Sequence, residues 1–429
     1  MNFDLRRAGM VGTAVLVVLV GSAAVGWLSG PDEVTPAQSS SPTPSPSLEV
    51  GASGASAASP TPDPSPSPSP AERGAIAIWS REPLPAGFAA SVGALPSVVA
   101  AVEVRSDTLG LIGVRDAAGV SQLDLRDGFR VPVGVAAIDP DAYATFVEGP
   151  SAEAVRALRP GEVLLTEAGA ELRGIGAGGQ IDLVGLPGLT VAGVVPDGTV
   201  RRSEVILHLA DAPAAGIEDD PTVVVRHTAN AGGATDRLVD AIRALVPTGT
   251  NARVVDVAGD RNASRGGPIV RSLTEVKRRF GEFAFRPRDG VREVDVAPAF
   301  VEEHIVTAEV PILGQVTCHR GIIDDLRATL EAIVAAGLSG EIDPSRYAGC
   351  YYPRRISVGG SSLSRHSWGI ALDINVDLSH PDLGPPPHPD VVAAFEAHGF
   401  RWGGDFLHPD NHHFEWVGTV DAPPAPTDP

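Results

Sequence analysis

Ser364-Arg-His-Ser-Trp-Gly-Ile-Ala-Leu-Asp-Ile-Asn375, followed later in the chain by Asp410-Asn-His-His-Phe-Glu-Trp416, carries the sharpest chemical signal in this sequence. His366, Asp373 and His413 supply two imidazoles and a carboxylate, a donor set suited to Zn²⁺, and three protein ligands leave a fourth position open for water. A hydrolase needs that open position. Residues 369–378 alternate as a strand, with Ile370, Leu372, Ile374 and Val376 on one face and Ala371, Asp373, Asn375 and Asp377 on the other. The same alternation in His413-Phe-Glu-Trp-Val417 puts His413 and Glu415 on one face and Phe414 with Trp416 on the other. A ligand and a carboxylate able to orient it then share a side.

The pattern Ser-x-His-x-x-Gly-x-Ala-x-Asp followed by Asp-x-x-His-Phe-Glu resembles the VanY-like zinc peptidases, the D-alanyl-D-alanine carboxypeptidase and L-alanyl-D-glutamate endopeptidase family. The likeness extends upstream through Val310-Pro-Ile-Leu-Gly-Gln-Val-Thr-Cys-His319 and Tyr347-Ala-Gly-Cys-Tyr-Tyr-Pro-Arg354. It implies a zinc ion held by His366, Asp373 and His413, with Asp410 as general base where many relatives carry Glu. Asp410 would accept a proton from water and return it to the departing amine. The resemblance also implies that Arg354, or its neighbour Arg355, pairs with a substrate carboxylate, that Ser364 bonds near the substrate, and that Glu415 orients His413. The implied substrate is a peptidoglycan stem peptide, with loss of terminal D-alanine favoured over internal cleavage.

The bulk of the chain sets limits on that reading. Its 429 residues exceed one ordinary domain, and a 43% hydrophobic share is enough for real cores. A net charge of -20 repels nucleic acid and anionic membrane surfaces, so no nucleic-acid partner is expected. Cys318 and Cys350 are the two cysteines, readable as a disulfide, as two buried thiols or as one metal ligand; an extracellular location makes the disulfide plausible.

Arg6 and Arg7 precede a charge-free run from Ala8 to Leu28, long enough to span a bilayer. Residues 1–30 are therefore read as a signal anchor, basic end inside, placing the rest outside the cell; Gly21-Ser-Ala-Ala24 leaves cleavage and secretion open. Residues 31–72 are Ser, Pro, Thr and Ala and form a disordered linker that cannot bury a core.

Residues 73–255 read as a mixed α/β module. Val98–Val104, Gly161–Leu165, Leu189–Val195, Val205–Leu209 and Thr222–Arg226 are strand-like runs, and Asp236–Val246 is helical. Leu158-Arg-Pro-Gly-Glu-Val-Leu-Leu165, Gln180-Ile-Asp-Leu-Val-Gly185 and Leu189-Thr-Val-Ala-Gly-Val-Val195 resemble the extracytoplasmic domain of MacB/FtsX-class transporter permeases, which implies a binding module and a protein partner. A Gly- and Arg-rich connector occupies 256–272. Residues 273–429 are expected to be an α+β zinc peptidase domain with an antiparallel sheet, including a helix over the apolar stripe Ile322 to Val334. The chain lacks a G-x-S-x-G elbow, a Ser-x-x-Lys motif, a phosphate loop and an H-E-x-x-H helix.

Overall fold

The computed structural model describes residues 74–80, 84–200, 203–217, 222–228, 233–250, 252–256, 271–376, 384–406 and 409–418. The expected spanning helix, the Pro/Ser linker and most of the 256–272 connector lie outside the described residues. Among the described residues, no helix is long and apolar enough to cross a membrane.

Ten strands of the first half form one mixed sheet: β1 (Ala75–Ser80), β2 (Val98–Arg115), β3 (Ser121–Asp124), β4 (Val131–Ile138), β5 (Glu162–Thr166), β6 (Gln180–Leu183), β7 (Leu186–Val195), β8 (Val205–His208), β9 (Thr222–His227) and β10 (Ala252–Asp256). Its order is β10-β1-β9-β2-β4-β8-β5-β7-β6, and β6 returns to pair with β2. The middle of β2, Val104 to Leu111, pairs with β4, while its end, Leu111 to Arg115, pairs with β6. The sheet therefore closes into a ring of β2, β4, β8, β5, β7 and β6. Leu109, Leu111, Val133, Val135, Val163, Leu165, Ile181, Val191 and Leu207 fill it.

The strand β4, Val-Pro-Val-Gly-Val-Ala-Ala-Ile, is buried along all 8 residues, as an almost unbroken apolar run demands. Pro132 cannot donate to a ladder, and it sits where β4 has β2 alone as partner, because β8 pairs only from Val135 onward. Five helices accompany the sheet: α1 (Phe88–Gly93), α2 (Pro140–Tyr143), α3 (Pro150–Ala157), α4 (Glu167–Arg173) and α5 (Ala234–Leu245). Helices α1 and α5 cover the β10-β1-β9 wing through Phe88, Val92, Leu238 and Ile242. All five strand-like runs and the helix read from the sequence are present.

In the second half, Ser272 and Glu275 form a reciprocal capping box that starts α6 (Leu273–Phe280). There follow the hairpin β11 (Phe285–Pro287) and β12 (Val294–Val296), α7 (Pro298–His304), the hairpin β13 (Ile305–Val310) and β14 (Gly314–His319), and α8 (Ile323–Ala335). Then come β15 (Ala371–Asp373), α9 (Pro389–Ala397), β16 (Phe400–Trp402) and β17 (His413–Trp416). Strands β15, β17 and β16, in that order, form an antiparallel sheet over a core of Leu326, Leu330, Ile333, Trp368, Leu372, Phe395 and Phe414.

The two halves are joined by polar contacts deep in the molecule. Lys277 of α6 is 2% exposed, and its ammonium lies 2.5 Å from Glu204, 2.9 Å from Glu282 and 2.8 Å from the Pro132 carbonyl oxygen. Arg173 of α4 pairs with Glu204 at 2.8 Å and also with Glu282, so two cations and two anions offset one another. Arg130 and Phe285 add a reciprocal pair of backbone hydrogen bonds, each 2.8 Å.

Candidate metal centre

His366 lies in a single 3₁₀ turn, Arg365–Trp368, that ends at Gly369. Gly369 has φ +68, and a Cβ there would stand 2.7 Å from the backbone nitrogen of His319, so the glycine of the motif is sterically required. The chain then enters β15, which is shorter than its sequence pattern predicts: ladder pairing ends at Asp373, and Asn375 turns to φ +54. The expected strand over 369–378 is corrected to three residues. Ala371, expected on the polar face, is fully buried, because β17 and the 3₁₀ turn enclose both sides of so short a strand.

Antiparallel register explains how two distant stretches meet. Asp373 pairs directly with His413 across β15 and β17. Asp373 Oδ1 lies 3.1 Å from His366 Nε2 and 3.0 Å from His413 Nδ1, and the two imidazole nitrogens are 3.3 Å apart. The three donor atoms fall within 4.8 Å of one another.

Neighbouring groups fix which nitrogens face inward. His366 Nδ1 donates to the Cys350 carbonyl oxygen at 2.9 Å, which leaves Nε2 as a lone pair directed at the cluster. Glu415 Oε2 lies 3.5 Å from His413 Nε2, the arrangement that leaves Nδ1 inward-facing. With both rings neutral, two ring lone pairs and a carboxylate oxygen converge in a partly buried space, and such an arrangement calls for a cation. Burial opposes charge on His413, yet its contacts with Asp373 and Glu415 outweigh that and push its pKa up to about 10. Burial would raise Asp373, but the two imidazoles hold its carboxyl far below the usual range. For His366 burial wins over the pull of Asp373, and the ring is held neutral. Without a metal, a proton on His413 offsets Asp373; a divalent ion fits the same place and is matched by the donor set.

Arg354 stands beside the cluster, its guanidinium 3.6 Å from Asp373 Oδ2 and stacked 5.0 Å over the Tyr352 ring. The Tyr352 hydroxyl donates to Glu293 at 2.5 Å. Arg355 is 5% exposed and its guanidinium donates to the carbonyl oxygens of Arg288 and Val291, so it holds a neighbouring loop. Of the two arginines, Arg354 faces the cluster.

Ser364 begins the turn that carries His366, and its backbone N–H donates to the Arg354 carbonyl at 2.9 Å. Asp410 precedes β17 at a tight turn: Oδ1 accepts from the His412 N–H at 3.2 Å, and its own N–H donates to the Gly403 carbonyl at 3.0 Å. Its carboxylate is not one of the three converging donors. Cys318 and Cys350 are bridged, with Cα atoms 5.3 Å apart, so neither is a metal ligand.

Two residues escaped the sequence reading. Ser367 is fully buried; its hydroxyl accepts from the Arg354 N–H at 3.0 Å and donates to the Arg354 carbonyl at 3.1 Å, tying the arginine to the ligand turn. Its only signal was a hydroxyl between His366 and Trp368. The Tyr347 hydroxyl is buried without a hydrogen-bond partner among the described residues, and burial together with the Asp373 charge keeps the phenol protonated.

The family model described as D-alanyl-D-alanine carboxypeptidase matches residues 358–416. That span contains Ser364, His366, Asp373, Asp410, His413 and Glu415, and it supports a peptidase-type function for the C-terminal part of the chain. No curated protein matches this chain. Solved structures similar to it include two transporter domains. One is the periplasmic region of MacB from Actinobacillus actinomycetemcomitans, 10% identical with a TM-score of 0.30, covering 43% of this chain and 90% of that one. The other is the extracellular domain of the noncanonic ABC-type transporter YknZ from Gram-positive bacteria, 13% identical with a TM-score of 0.27, covering 42% of this chain and 100% of that one. Both resemblances read from the sequence have counterparts here, and the second says nothing about activity.

Proposed function

We propose that the C-terminal part of this chain is a zinc peptidase that hydrolyses D-amino-acid-containing peptidoglycan stem peptides outside the cell, chiefly removing terminal D-alanine. One observation carries the reading: three donor atoms converge at a partly buried point, with the Arg354 guanidinium on the far side of the same Asp373 carboxylate. A zinc ion held by His366, Asp373 and His413 would supply Lewis-acid polarisation of the scissile carbonyl and an acidified water.

The remaining work falls to side chains of the chain. Asp410, three residues before His413, takes the proton of the attacking water and passes it to the departing amine. Arg354 pairs with the free carboxylate of a terminal D-residue, and its stacking on Tyr352 sets the plane of the fork. Glu415 holds His413 in the tautomer that faces inward. Ser364, at the mouth of the ligand turn, bonds to the substrate backbone.

The charge-free run at residues 8–28 favours a membrane anchor, or a cleaved export signal, with the Pro/Ser linker carrying the folded part outward. Residues 73–255 would then serve as a binding module for a protein partner. The test uses the purified chain and defined muropeptides, with and without chelator, beside Asp410→Asn and His413→Ala, with products weighed by mass spectrometry. Metal-dependent loss of one D-alanine is the expected result; equal turnover in chelator would defeat the proposal.

A further inference from the structure

The segment 346–354 contacts both halves of the donor set. Its Ala348 N–H donates to the Asp373 carbonyl at 3.0 Å, and the Gly349 carbonyl accepts the Asp373 N–H at 3.3 Å. One residue on, the Cys350 carbonyl takes the Nδ1 proton of His366 at 2.9 Å, and the Tyr352 N–H donates to the His366 carbonyl at 3.0 Å. Arg354, at its end, reaches Asp373 and is tied to the ligand turn by Ser367. This strap runs past Asp373 and His366 in turn and sets the backbone of each.

The strap is secured at both ends, by a backbone hydrogen bond between Val376 N–H and the Arg346 carbonyl at 3.0 Å and by the Pro353 carbonyl, which accepts from Val294 N–H at 3.2 Å, with the Tyr352 hydroxyl on Glu293. At its middle, Tyr351 donates a backbone N–H to the Thr317 carbonyl at 2.8 Å, and Cys350 is bridged to Cys318, the neighbouring residue of β14. Both sulfurs lie behind the 3₁₀ turn: Cys318 is fully buried, Cys350 is 1% exposed, and its sulfur is 3.2 Å from the Gly369 carbonyl oxygen. The covalent clip therefore sits on the residue whose carbonyl selects the His366 tautomer.

We infer that Cys350, through its bridge to Cys318, is a positioning residue for the metal ligands His366 and Asp373, so that full metal affinity of the site depends on the bridge being closed. The inference rests on the functional reading above. Reduction delivers two electrons and two protons to the bridge and yields two thiols, freeing the Cys350 carbonyl to shift while the ligands themselves stay intact. Partners that hold a ligating histidine from behind typically change metal affinity ~10–100-fold when lost.

The experiment compares the full oxidised chain, the same protein treated anaerobically with a trialkylphosphine, which takes up oxygen from water as it is oxidised, and the Cys318→Ala/Cys350→Ala variant. Zinc affinity is read by chelator competition and ligand geometry by the visible spectrum of the Co²⁺-loaded protein, with circular dichroism recording the fold. The expected outcome is a weakening of zinc binding by about 10-fold or more in both bridge-free forms, with an altered Co²⁺ spectrum and an unchanged fold. Unchanged affinity and spectrum in either folded bridge-free form would overturn the inference. So would unfolding of both forms at 25 °C, since the bridge would then hold the fold and not the ligands. If the oxidised chain itself takes up neither metal, the functional reading fails, which is a separate result.

Discussion

Asp373 and His413 face each other as directly paired residues of β15 and β17, with Oδ1 and Nδ1 3.0 Å apart. Nothing in the strand pairing depends on the carboxylate charge, so Asp373→Asn keeps the register and removes a hard anionic donor. Zinc affinity, measured by chelator competition, should fall by more than the ~10–100-fold that loss of an outer partner costs. The stabilisation that zinc gives to the melting temperature should shrink with it. Retention of full affinity would remove Asp373 from the ligand set.

Arg354→Lys keeps the charge and loses the planar fork. Hydrogen bonds to charged groups contribute about 1.5–3 kcal/mol, so kcat/KM for peptides with a free terminal carboxylate should drop roughly 10–100-fold. Peptides amidated at the terminus should be affected little. An equal loss on both substrates would show that Arg354 serves the fold and not recognition.

Among the described residues, Lys277 of α6 is the one cation reaching both Glu204 and the Pro132 carbonyl. Lys277→Met leaves Arg173 to offset two buried or half-buried carboxylates. Breaking one partner of such a pair typically costs about 3–5 kcal/mol, visible as an earlier urea midpoint. Adding Glu204→Gln should recover part of that loss, and a double variant as unstable as the two losses summed would contradict the network.

His319 gives the chain an acid sensitivity of its own. Burial, helped by the nearby His304, lowers its pKa from 6.5 to about 4, against the pull of the hydrogen bond to the Phe280 carbonyl. As pH falls below 6.5 the unfolded chain takes up this proton and the folded chain does not. Stability contributed by the neutral ring is therefore full above pH 6.5, declines toward pH 4 and levels off below it. The ceiling is about 3 kcal/mol. Chemical denaturation across that range should show the slope in the wild-type chain and a shallower one in His319→Gln.

The His-Asp-His cluster was legible because its chemistry is written in residue type and spacing. His366, Asp373 and His413 needed only the motif order, and the face shared by His413 and Glu415 followed from strand period. The extent of β15 was not legible: Ile374 and Val376 continue the apolar alternation, while the break comes from tertiary contacts of Asn375, which bonds to the Asp343 N–H and the Glu341 carbonyl. Closure of the large sheet was also hidden. Only Val98–Val104 of β2 reads as a strand, because the polar stretch Arg105-Ser-Asp-Thr108 interrupts its apolar pattern, and the partner of its far end, β6, comes from much later in the chain. Ser367 and Tyr347 were invisible for the same reason, since their roles come from neighbours that only folding supplies.

Strand β2 is 18 residues long, a contour of roughly 60 Å. Its first part, Val98 to Val104, belongs to the open wing with β9, and its last part closes the ring against β6. A single backbone is thus shared by two structures, so a substitution that shifts the pairing of β2 in the wing also bears on the seam that closes the ring.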